Sequence, residues 1–196
     1  MNSGTRCSRM LEPSFTLRTP DGDGRARKTC DHCGYVDYEN PKIVVGSVVR
    51  HEGRILLCRR AIEPRRGFWT IPAGYMELNE TPEEGARREA FEEANAHLRI
   101  ERLLAVYAVP RISQVQLIFR ATLDRPEVSA GTESLEVELF RPQEIPWDAL
   151  AFPSVHWALG HDAEAEAGAP PIPFGNPGDQ TGDRMPDGRL LPTGEF

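Results

Sequence analysis

The sequence has no apolar run long enough to cross a membrane, and its first residues lack the apolar stretch of a secretory signal peptide. These two absences predict a cytoplasmic protein, or one of an organelle matrix, that has no membrane partner. Hydrophobic residues still make up 39% of the 196 residues, which is enough for one domain with a real core plus appendages.

An excess of positive charge and a reactive histidine pattern are also missing. The formal net charge is −7, so the overall charge indicates no nucleic-acid partner, although a local basic patch would be compatible with it. Most of the negative excess lies in residues 160–196, which hold seven acids against two arginines. The histidines have no spacing typical of a zinc protease or a catalytic triad, and we interpret each as a surface or packing residue: His32, His51, His97, His156 and His161.

Glutamate, by contrast, is concentrated in one place. Seven glutamates lie within residues 77–93. Three of them, Glu89, Glu92 and Glu93, have i, i+3, i+4 spacing, so on a helix they share one face within about 100°. Like charges this close repel each other, so the face is either open to water or holds a divalent cation. An arbitrary glutamate-rich run favours the solvated face, whereas a cation would indicate metal-dependent phosphate chemistry.

The helix that carries these glutamates has clear boundaries in the sequence. Thr81 and Glu84 form a capping box around Pro82 at the first helical position. Alanines repeat every four residues from 86 to 94 and predict an apolar stripe that can lie close to a sheet. Asn95 is expected to end the helix, because asparagine tolerates the left-handed conformation of a helix C-cap.

Spacing across residues 74–96 decides between the two interpretations. The stretch fits the pattern G-x(5)-E-x(7)-R-E-U-x-E-E-x-G-U, with U apolar, through Gly74, Glu80, Arg88, Glu89, Ala90, Glu92, Glu93 and Ala96. With average residue usage, a chance match has a probability on the order of one in a million. The stretch resembles the Nudix box, the signature of the Nudix hydrolase superfamily. Asn95 replaces the final glycine of that signature, which is a mild change.

The resemblance implies a role for each residue of the core motif. Glu89, Glu92 and Glu93 match the glutamates that bind the catalytic divalent ions in the family, which implies Mg²⁺ or Mn²⁺ as the cofactor. The backbone carbonyl of Ala73 is implied as a further ligand, and Arg88 is implied to orient Glu89 by a charge-assisted hydrogen bond. Such ions neutralise charge on phosphate oxygens and lower the pKa of the attacking water.

A catalytic base is expected from a later loop, as in several Nudix pyrophosphatases. Glu136 and Glu138 alternate with apolar residues along a predicted strand, so they are expected to face water. Glu133 precedes that strand on a loop and can move toward a bound substrate. We therefore favour Glu133 over Glu136 as the base.

Four arginines precede the box and are candidates for binding the substrate: Arg59, Arg60, Arg65 and Arg66. Ordinary solubility is the alternative for any one of them. Their density, on a strand end and loop that lead into the box, suits a diphosphate with negative charge on both phosphates. Phe68 and Trp69 follow them; they are candidates to stack on a base or flavin ring, or to join the core.

The pattern along the chain predicts three regions: residues 1–40, residues 41–160 and a proline- and glycine-rich acidic tail at 161–196 that is expected to be disordered. The middle region is predicted to be α/β. Its expected strands are 43–49, 54–58, 68–71, 103–109, 115–123 and 135–140, and a second helix is expected at 154–167. The resemblance implies the Nudix α/β/α sandwich with a mixed sheet.

The first region resembles a zinc ribbon that has lost one ligand. Two C-x-x-C pairs about twenty residues apart are the usual pattern. Cys30 and Cys33 form the second pair, whereas Cys7 is followed by Met10 at the position of the fourth cysteine. Three thiolates could hold Zn²⁺ with another donor, or the metal could be lost and the thiols stay reduced. Both alternatives remain open at this point.

A ribbon followed by a Nudix domain is similar to a bacterial and plant group associated with FAD and ADP-ribose pyrophosphatase activity. We therefore expect hydrolysis of a nucleoside diphosphate linked to another moiety, with FAD or ADP-ribose preferred and a nucleoside monophosphate released. NADH pyrophosphatases share this layout, but the element S-Q-P-W-P-F-P that they carry after the box has no counterpart after Ala96. A nucleotide-sensing module without catalysis is the other alternative. A homodimer is plausible on the resemblance.

Overall fold

The computed structural model describes residues 12–191, and the chain divides into two compact units at residue 40. The first unit contains an antiparallel three-stranded sheet of β1 (Phe15–Arg18), β2 (Arg27–Cys30) and β3 (Val36–Asp37). Cys30 is buried and Cys33 half-buried, at a tight turn in which Gly34 N–H donates to the Cys30 carbonyl at 3.0 Å. Cys7 and Met10 lie outside the described residues.

The second unit contains a seven-stranded mixed sheet and two α-helices. Its elements are β4 (Lys42–His51), β5 (Arg54–Arg60), β6 (Trp69–Thr70), β7 (Ala73–Tyr75), α1 (Pro82–Ala94), β8 (Leu98–Val109), β9 (Gln114–Leu123), β10 (Ser134–Phe140) and α2 (Pro153–Glu166). The main path of the sheet is β10-β5-β4-β9-β8; β4 and β9 are parallel, β6 pairs with β5, and β7 pairs with β4. No helix within residues 12–191 is both long and apolar enough to span a bilayer.

Adjacent residues of the central strands serve two different cores. Val49 and Leu56 pack with the alanines of α1, whereas Val48 and Leu57 pack on the other face with Trp157 and its neighbours on α2. This follows from the strand geometry, in which successive side chains point to opposite faces. The predicted α/β/α sandwich with a mixed sheet is confirmed.

Helix α1 begins and ends where the sequence predicts. The Thr81 hydroxyl accepts a hydrogen bond from Glu84 N–H at 3.2 Å, and the Glu84 carboxylate accepts one from Thr81 N–H at 2.8 Å. Asn95 closes the helix in the left-handed region with φ 49°. Glu89 and Glu93 are both buried, which disfavours the alternative of a fully solvated glutamate face.

The C-terminal region also differs from its prediction. The expected boundary at residue 160 falls inside α2, and the segment that follows is placed against β8 rather than disordered up to Leu191. Phe174, Met185 and Leu191 pack onto the domain although the composition is rich in proline and glycine. Isolated anchor residues hold this segment, and they leave no periodic signal in the sequence. Residues 192–196 of the tail lie outside the described residues.

Candidate active site

A cleft of about 530 Å³ opens between α1, the sheet and the start of α2. This volume lies within the range of about 300–1,000 Å³ that is usual for ligand pockets. Its walls include charged residues from α1 and the loops around it, together with apolar residues from β8, α2 and the C-terminal segment. The cleft therefore has a charged part and an apolar part.

Arg88 organises the charged part. Its Nη1 donates to Glu89 Oε1 at 2.7 Å and to Glu92 Oε2 at 2.8 Å. Its Nε and Nη2 hold both oxygens of Glu80 at 3.0 and 2.9 Å, and Nη2 also donates to the Tyr75 carbonyl at 2.9 Å. These hydrogen bonds lower the pKa of Glu80. A single guanidinium thus ties α1 to β7 and to the loop between them.

Two glycines allow the carboxylates to approach the backbone. A Cβ on Gly74 would lie 2.3 Å from Glu89 Oε2, and a Cβ on Gly85 would lie 2.6 Å from Glu80 Oε1. Real Cβ atoms never approach so closely, so any other residue at position 74 would displace Glu89. The glycine at the start of the box is therefore required by the position of a carboxylate.

Glu93 is the most unusual charged group in the cleft. It is only 6% exposed, and its Oε2 has no hydrogen-bond partner within residues 12–191. Burial, followed by repulsion from Glu89, raises the pKa of Glu93 to about 8, although Arg60 and the Ala73 backbone act in the opposite direction. Burial also raises the pKa of Glu89. Two buried carboxylates therefore face each other with too little positive charge to balance them.

Glu133 reaches the same cleft on the loop between β9 and β10. That loop is fixed to the end of α1, because Gly131 N–H donates to the Glu93 carbonyl at 3.0 Å. The approach at this point is so close that a Cβ on Gly131 would lie 1.7 Å from the Glu92 carbonyl oxygen. The backbone carbonyl of Glu133 accepts from Ala61 N–H at 2.8 Å, which ties the other end of the loop to the residue after β5.

Asn95 makes a further contact with the loop that carries Glu133. Its Nδ2 donates to the Ser129 carbonyl at 3.1 Å and to the Ser129 hydroxyl at 3.0 Å, and Ser129 N–H donates to the Ala94 carbonyl at 3.0 Å. Glycine, the usual residue at this motif position, has no side chain to make the first two contacts. The one departure from the motif thus adds an anchor for the loop.

A model of the NUDIX domain matches residues 40–158, which is more than half of the chain. The chain belongs to the Nudix hydrolase family. A second model, the zinc-ribbon family called Nudix N-terminal, matches residues 7–39. The resemblance to a Nudix hydrolase with an N-terminal ribbon is confirmed.

Known proteins resemble this Nudix chain over different lengths. The crystal structure of a NUDIX hydrolase from Nitrosomonas europaea is 47% identical, with a TM-score of 0.80, and the match covers 86% of this chain and 96% of that one. A MutT-like protein of Streptomyces ambofaciens is 37% identical over 52% of this chain and 64% of its own length, so less than two thirds of that relative is spanned. An ADP-ribose pyrophosphatase of Methanocaldococcus jannaschii is 31% identical over 59% of this chain and 69% of its own length.

Within the Nudix domain, the four predicted substrate arginines separate. Arg60 lines the cleft, where burial lowers its pKa while its Nε donates to the Pro64 carbonyl at 2.8 Å. Arg59 instead lies on the surface and pairs with Glu136 at 3.3 Å, because alternate residues of β5 point to opposite faces. This pair also places Glu136 outside the cleft, as its alternation predicts.

The other two arginines are also not among the residues that line the cleft. Arg65 has a φ of 66°, donates to the Ala151 carbonyl at 3.1 Å and lies 3.7 Å from the centre of the Phe68 ring. Its contacts fix the loop, and the role of Arg59 and Arg65 in substrate binding stays a prediction. Arg66 is exposed. Trp69 is buried against Phe140 and belongs to the core, while Phe68 packs under Arg65.

Several cleft residues were missed by the sequence analysis. Gln114 and Gln116 line the cleft from β9, with Gln114 Nε2 donating to the Tyr75 hydroxyl at 3.1 Å. Their alternation with apolar residues was visible in the sequence and indicates one shared face. Arg111, just before β9, also lines the cleft, but no local pattern distinguishes it from a surface arginine.

No group of three or more His, Cys, Asp or Glu residues in the described chain, residues 12–191, has the geometry of a metal site. The box carboxylates are instead arranged around Arg88, which acts as the local counter-ion for Glu89 and Glu92. Glu93 receives no hydrogen bond from Arg88, and its Oε2 stays without a partner. Glu93 is therefore the box carboxyl that is least compensated by positive charge.

Proposed function

We propose that this Nudix protein hydrolyses the phosphoanhydride of a nucleoside diphosphate linked to another moiety, with Mg²⁺ or Mn²⁺ as the cofactor. FAD or ADP-ribose is the preferred substrate, and a nucleoside monophosphate is one product. The observation that carries the proposal is the unpartnered Oε2 of buried Glu93 beside Glu89 in an open cleft. Burying an uncompensated carboxylate is costly, and a divalent cation would remove that cost.

The residues present fit such a cation. Glu89, Glu92, Glu93 and the Ala73 carbonyl would hold it, and all four supply the oxygen donors that hard cations prefer. When bound, the ion supplies neutralisation of phosphate charge and a lower pKa for the attacking water. Zinc is disfavoured as the ion at this site, because none of the four donors is a thiolate or an imidazole.

The chain's own side chains have separate tasks in this proposal. Arg88 orients Glu89 and Glu92 through charge-assisted hydrogen bonds. Arg60 lines the same cleft and feels the charges of Glu93 and Glu133, so it is placed to contact a phosphate. Glu133 takes the proton from the attacking water, since its loop is anchored at both ends while its side chain remains exposed.

The choice of substrate rests on one relative and on the size of the cleft. One relative is named an ADP-ribose pyrophosphatase. The cleft volume of about 530 Å³ is adequate for a nucleotide of this size. FAD and ADP-ribose share the adenosine diphosphate half and differ beyond it, so the diphosphate-binding residues alone do not distinguish them.

A substrate panel tests the proposal directly. The protein is incubated with Mg²⁺ and FAD, ADP-ribose, NADH, diadenosine polyphosphates or nucleoside triphosphates, and release of the monophosphate is measured. Glu93→Gln should lower the rate by about a thousandfold or more, since it removes charge at the reacting centre. Glu83→Gln is the matched control, because Glu83 is exposed on the same helix and does not line the cleft.

Two results would contradict the proposal. A rate for Glu93→Gln within a few-fold of the parent rate would exclude Glu93 from the metal site. Tight binding of a nucleotide without turnover of any substrate would instead support a sensing module, although such a module has no need of the box glutamates that this chain retains.

Zinc in the N-terminal ribbon is a separate part of the proposal. Cys30 and Cys33 flank a tight turn, and Cys7 would supply a third thiolate. The match of the ribbon model to residues 7–39 supports this proposal. Metal analysis should find about one zinc per chain, and Cys33→Ser should reduce that content. A zinc-free protein after expression with added zinc would contradict it.

A further inference from the structure

The segment after α2 runs along the outer edge of the sheet. Phe174 N–H donates to the Leu104 carbonyl and Val106 N–H donates to the Phe174 carbonyl, both at 2.9 Å. Since β8 is the last strand on this side of the sheet, these bonds add the segment to its edge. The segment therefore has a defined position although it forms no long strand of its own.

Asn176 fixes the segment two residues further along. Its Oδ1 accepts from Ala108 N–H at 2.9 Å, while its Nδ2 donates to the Ala108 carbonyl at 2.8 Å and to the Gln180 carbonyl at 2.7 Å. The Gln180 side chain in turn accepts from Trp157 Nε1 at 3.0 Å. A single amide side chain thus replaces a strand pairing, and α2 supports it from behind.

An aromatic contact anchors the segment to the core. The Phe174 ring stacks on His161 of α2, with 4.3 Å between the ring centres and 5° between the planes. His161 Nδ1 is hydrogen-bonded to the hydroxyl of fully buried Tyr107 at 2.8 Å. Displacing the segment would uncover this pair, so docking is coupled to the packing between α2 and β8.

The chain then returns toward the cleft as a short hairpin, residues 182–191. Leu191 N–H donates to the Asp183 carbonyl and Met185 N–H to the Arg189 carbonyl, both at 2.8 Å. Gly182, with φ 80°, packs so closely on Val109 that an added Cβ would lie 3.1 Å from it. Gly182 and Leu191 line the cleft beside Val109.

The position of this hairpin relative to the charged groups follows from the strand order. Val109 ends β8, while Gly74 of β7 contacts Glu89, and β9 and β4 lie between these two strands. Three strand spacings correspond to about 14 Å. A molecule with its diphosphate near Glu89 is therefore long enough to reach the hairpin, which lines the same cleft.

We infer that the hairpin of residues 182–191 forms the wall that holds the planar ring of the substrate, a nucleobase or a flavin, and so determines which substrate is selected. The inference rests on the proposed function in taking the substrate to be a nucleoside diphosphate. Phe152 and Val155 of the α2 region complete the apolar surroundings of Leu191 and Val109 in the cleft. Aromatic rings bind in such apolar pockets, whereas a phosphate does not.

Binding of ring-bearing and ring-free probes tests this inference without any turnover. AMP and FMN carry a ring and no phosphoanhydride, and inorganic pyrophosphate carries a diphosphate and no ring. Leu191→Ala should weaken binding of AMP or of FMN about tenfold in calorimetry with Mg²⁺, and it should leave pyrophosphate binding unchanged. If AMP loses affinity, the hairpin holds the adenine ring; if FMN loses affinity, it holds the flavin ring. Leu190→Ala is the matched control, because Leu190 is 63% exposed.

Asn176→Ala provides a second variant, which displaces the hairpin while every residue that lines the cleft keeps its identity. Hydrogen exchange at the Ala108 amide reports whether the segment has detached. The same ring-specific loss of affinity is expected. The inference is overturned if the ring-bearing probes bind both variants within twofold of the parent, if pyrophosphate binding falls equally, or if the parent binds neither AMP nor FMN. Absence of turnover with all substrates would contradict the proposed function alone.

Discussion

Two buried carboxylates on opposite faces of the sheet have very different surroundings. Asp162 of α2 is fully buried, and its oxygens lie 2.6 Å from Arg50 Nη1 and 3.6 Å from Arg120 Nε. Glu93 of α1 is almost as buried, but the largest charge effect on it is repulsion from Glu89, and no arginine of the described residues lies within ion-pair distance of it. Burial raises the pKa of both groups.

The difference lies in how charge is balanced. Around Asp162 two arginines compensate the acid, and Glu166 joins the same network through Arg120 and Arg50. Around Glu93 the acids outnumber the arginines, and the group faces an open cleft. A compensated buried acid is part of the packing, whereas an uncompensated one beside a cleft indicates a place for a cation.

The largest effect is expected from removing the compensated acid. Asp162→Ala would leave Arg50 and Arg120 without their buried partner, and loss of one side of a buried pair costs about 3–5 kcal/mol. The free energy of unfolding, measured by chemical denaturation, should fall by that amount while the rate per folded molecule stays near that of the parent. A loss of activity larger than the loss of folded protein would contradict a purely structural role for Asp162.

Glu93→Gln should have the opposite effect on stability when divalent ions are chelated. The folded pKa of about 8 lies above the ordinary value of 4.5, so the folded state binds the extra proton between these values. The stability of the parent should therefore fall as pH rises through this window, and the variant should not show that fall. At pH 8 the variant should be more stable by about 4 kcal/mol.

Thermal unfolding at pH 5 and pH 8 in the presence of a chelator measures this difference. Subtracting the stability change of the parent from that of the variant gives the contribution of Glu93 to the pH dependence. Added Mg²⁺ should stabilise the parent more than the variant. Equal pH profiles for the two proteins would mean that the Glu93 carboxylate is not desolvated in the folded state.

Arg60 and Arg59 allow the cleft and the protein surface to be compared for their effect on substrate binding. Of these two arginines Arg60 lines the cleft, and Arg60→Ala should raise KM about tenfold, or about 1.4 kcal/mol, by removing a charge-assisted contact to phosphate. Arg59→Ala removes an exposed ion pair with Glu136 and an exposed hydrogen bond to the Gly67 carbonyl, so KM should stay the same and stability should change little. Equal effects of the two substitutions would contradict the separation of the arginines.

The smallest effect is expected at Asn95. Asn95→Gly restores the usual motif residue and tolerates φ 49°, so the fold should be retained. The substitution removes two hydrogen bonds to Ser129, and kcat should fall a few-fold, about 1 kcal/mol, because the loop with Glu133 is held less firmly. Ser129→Ala removes only the hydroxyl contact and should show a smaller fall. An unchanged kcat in both variants would remove Asn95 from the positioning of this loop.

Local signals explain which parts of the fold were predictable. The capping box at Thr81, the alanine stripe and Asn95 all act within one helix, so the boundaries of α1 were correct. The β-branched run gave β4, which extends only one or two residues beyond the predicted range. Strand β7 was missed because three residues around a glycine carry no strand pattern and are extended only by pairing with β4.

The cleft depends on contacts between residues far apart in the chain, so its composition was less predictable. The box residues could be identified from the sequence because they match a known motif spacing. Arg65 is expected to bind substrate, but nothing in the sequence indicated its positive φ or its contact with the Ala151 carbonyl. The C-terminal segment was expected to be disordered from its composition, which contains no information on the single amide of Asn176 that holds it.

The added strand-like segment also has a consequence for how the protein is made. Residues 174–176 follow every strand of the sheet in the chain, so the ribosome synthesises them after β8. Until they emerge, the edge groups of Leu104, Val106 and Ala108 lack the partners that they have in the folded protein. An open strand edge is a template for pairing with another nascent chain and leads to aggregation. The segment after α2, which contributes to the cleft, therefore also protects the edge of β8 from pairing with another chain.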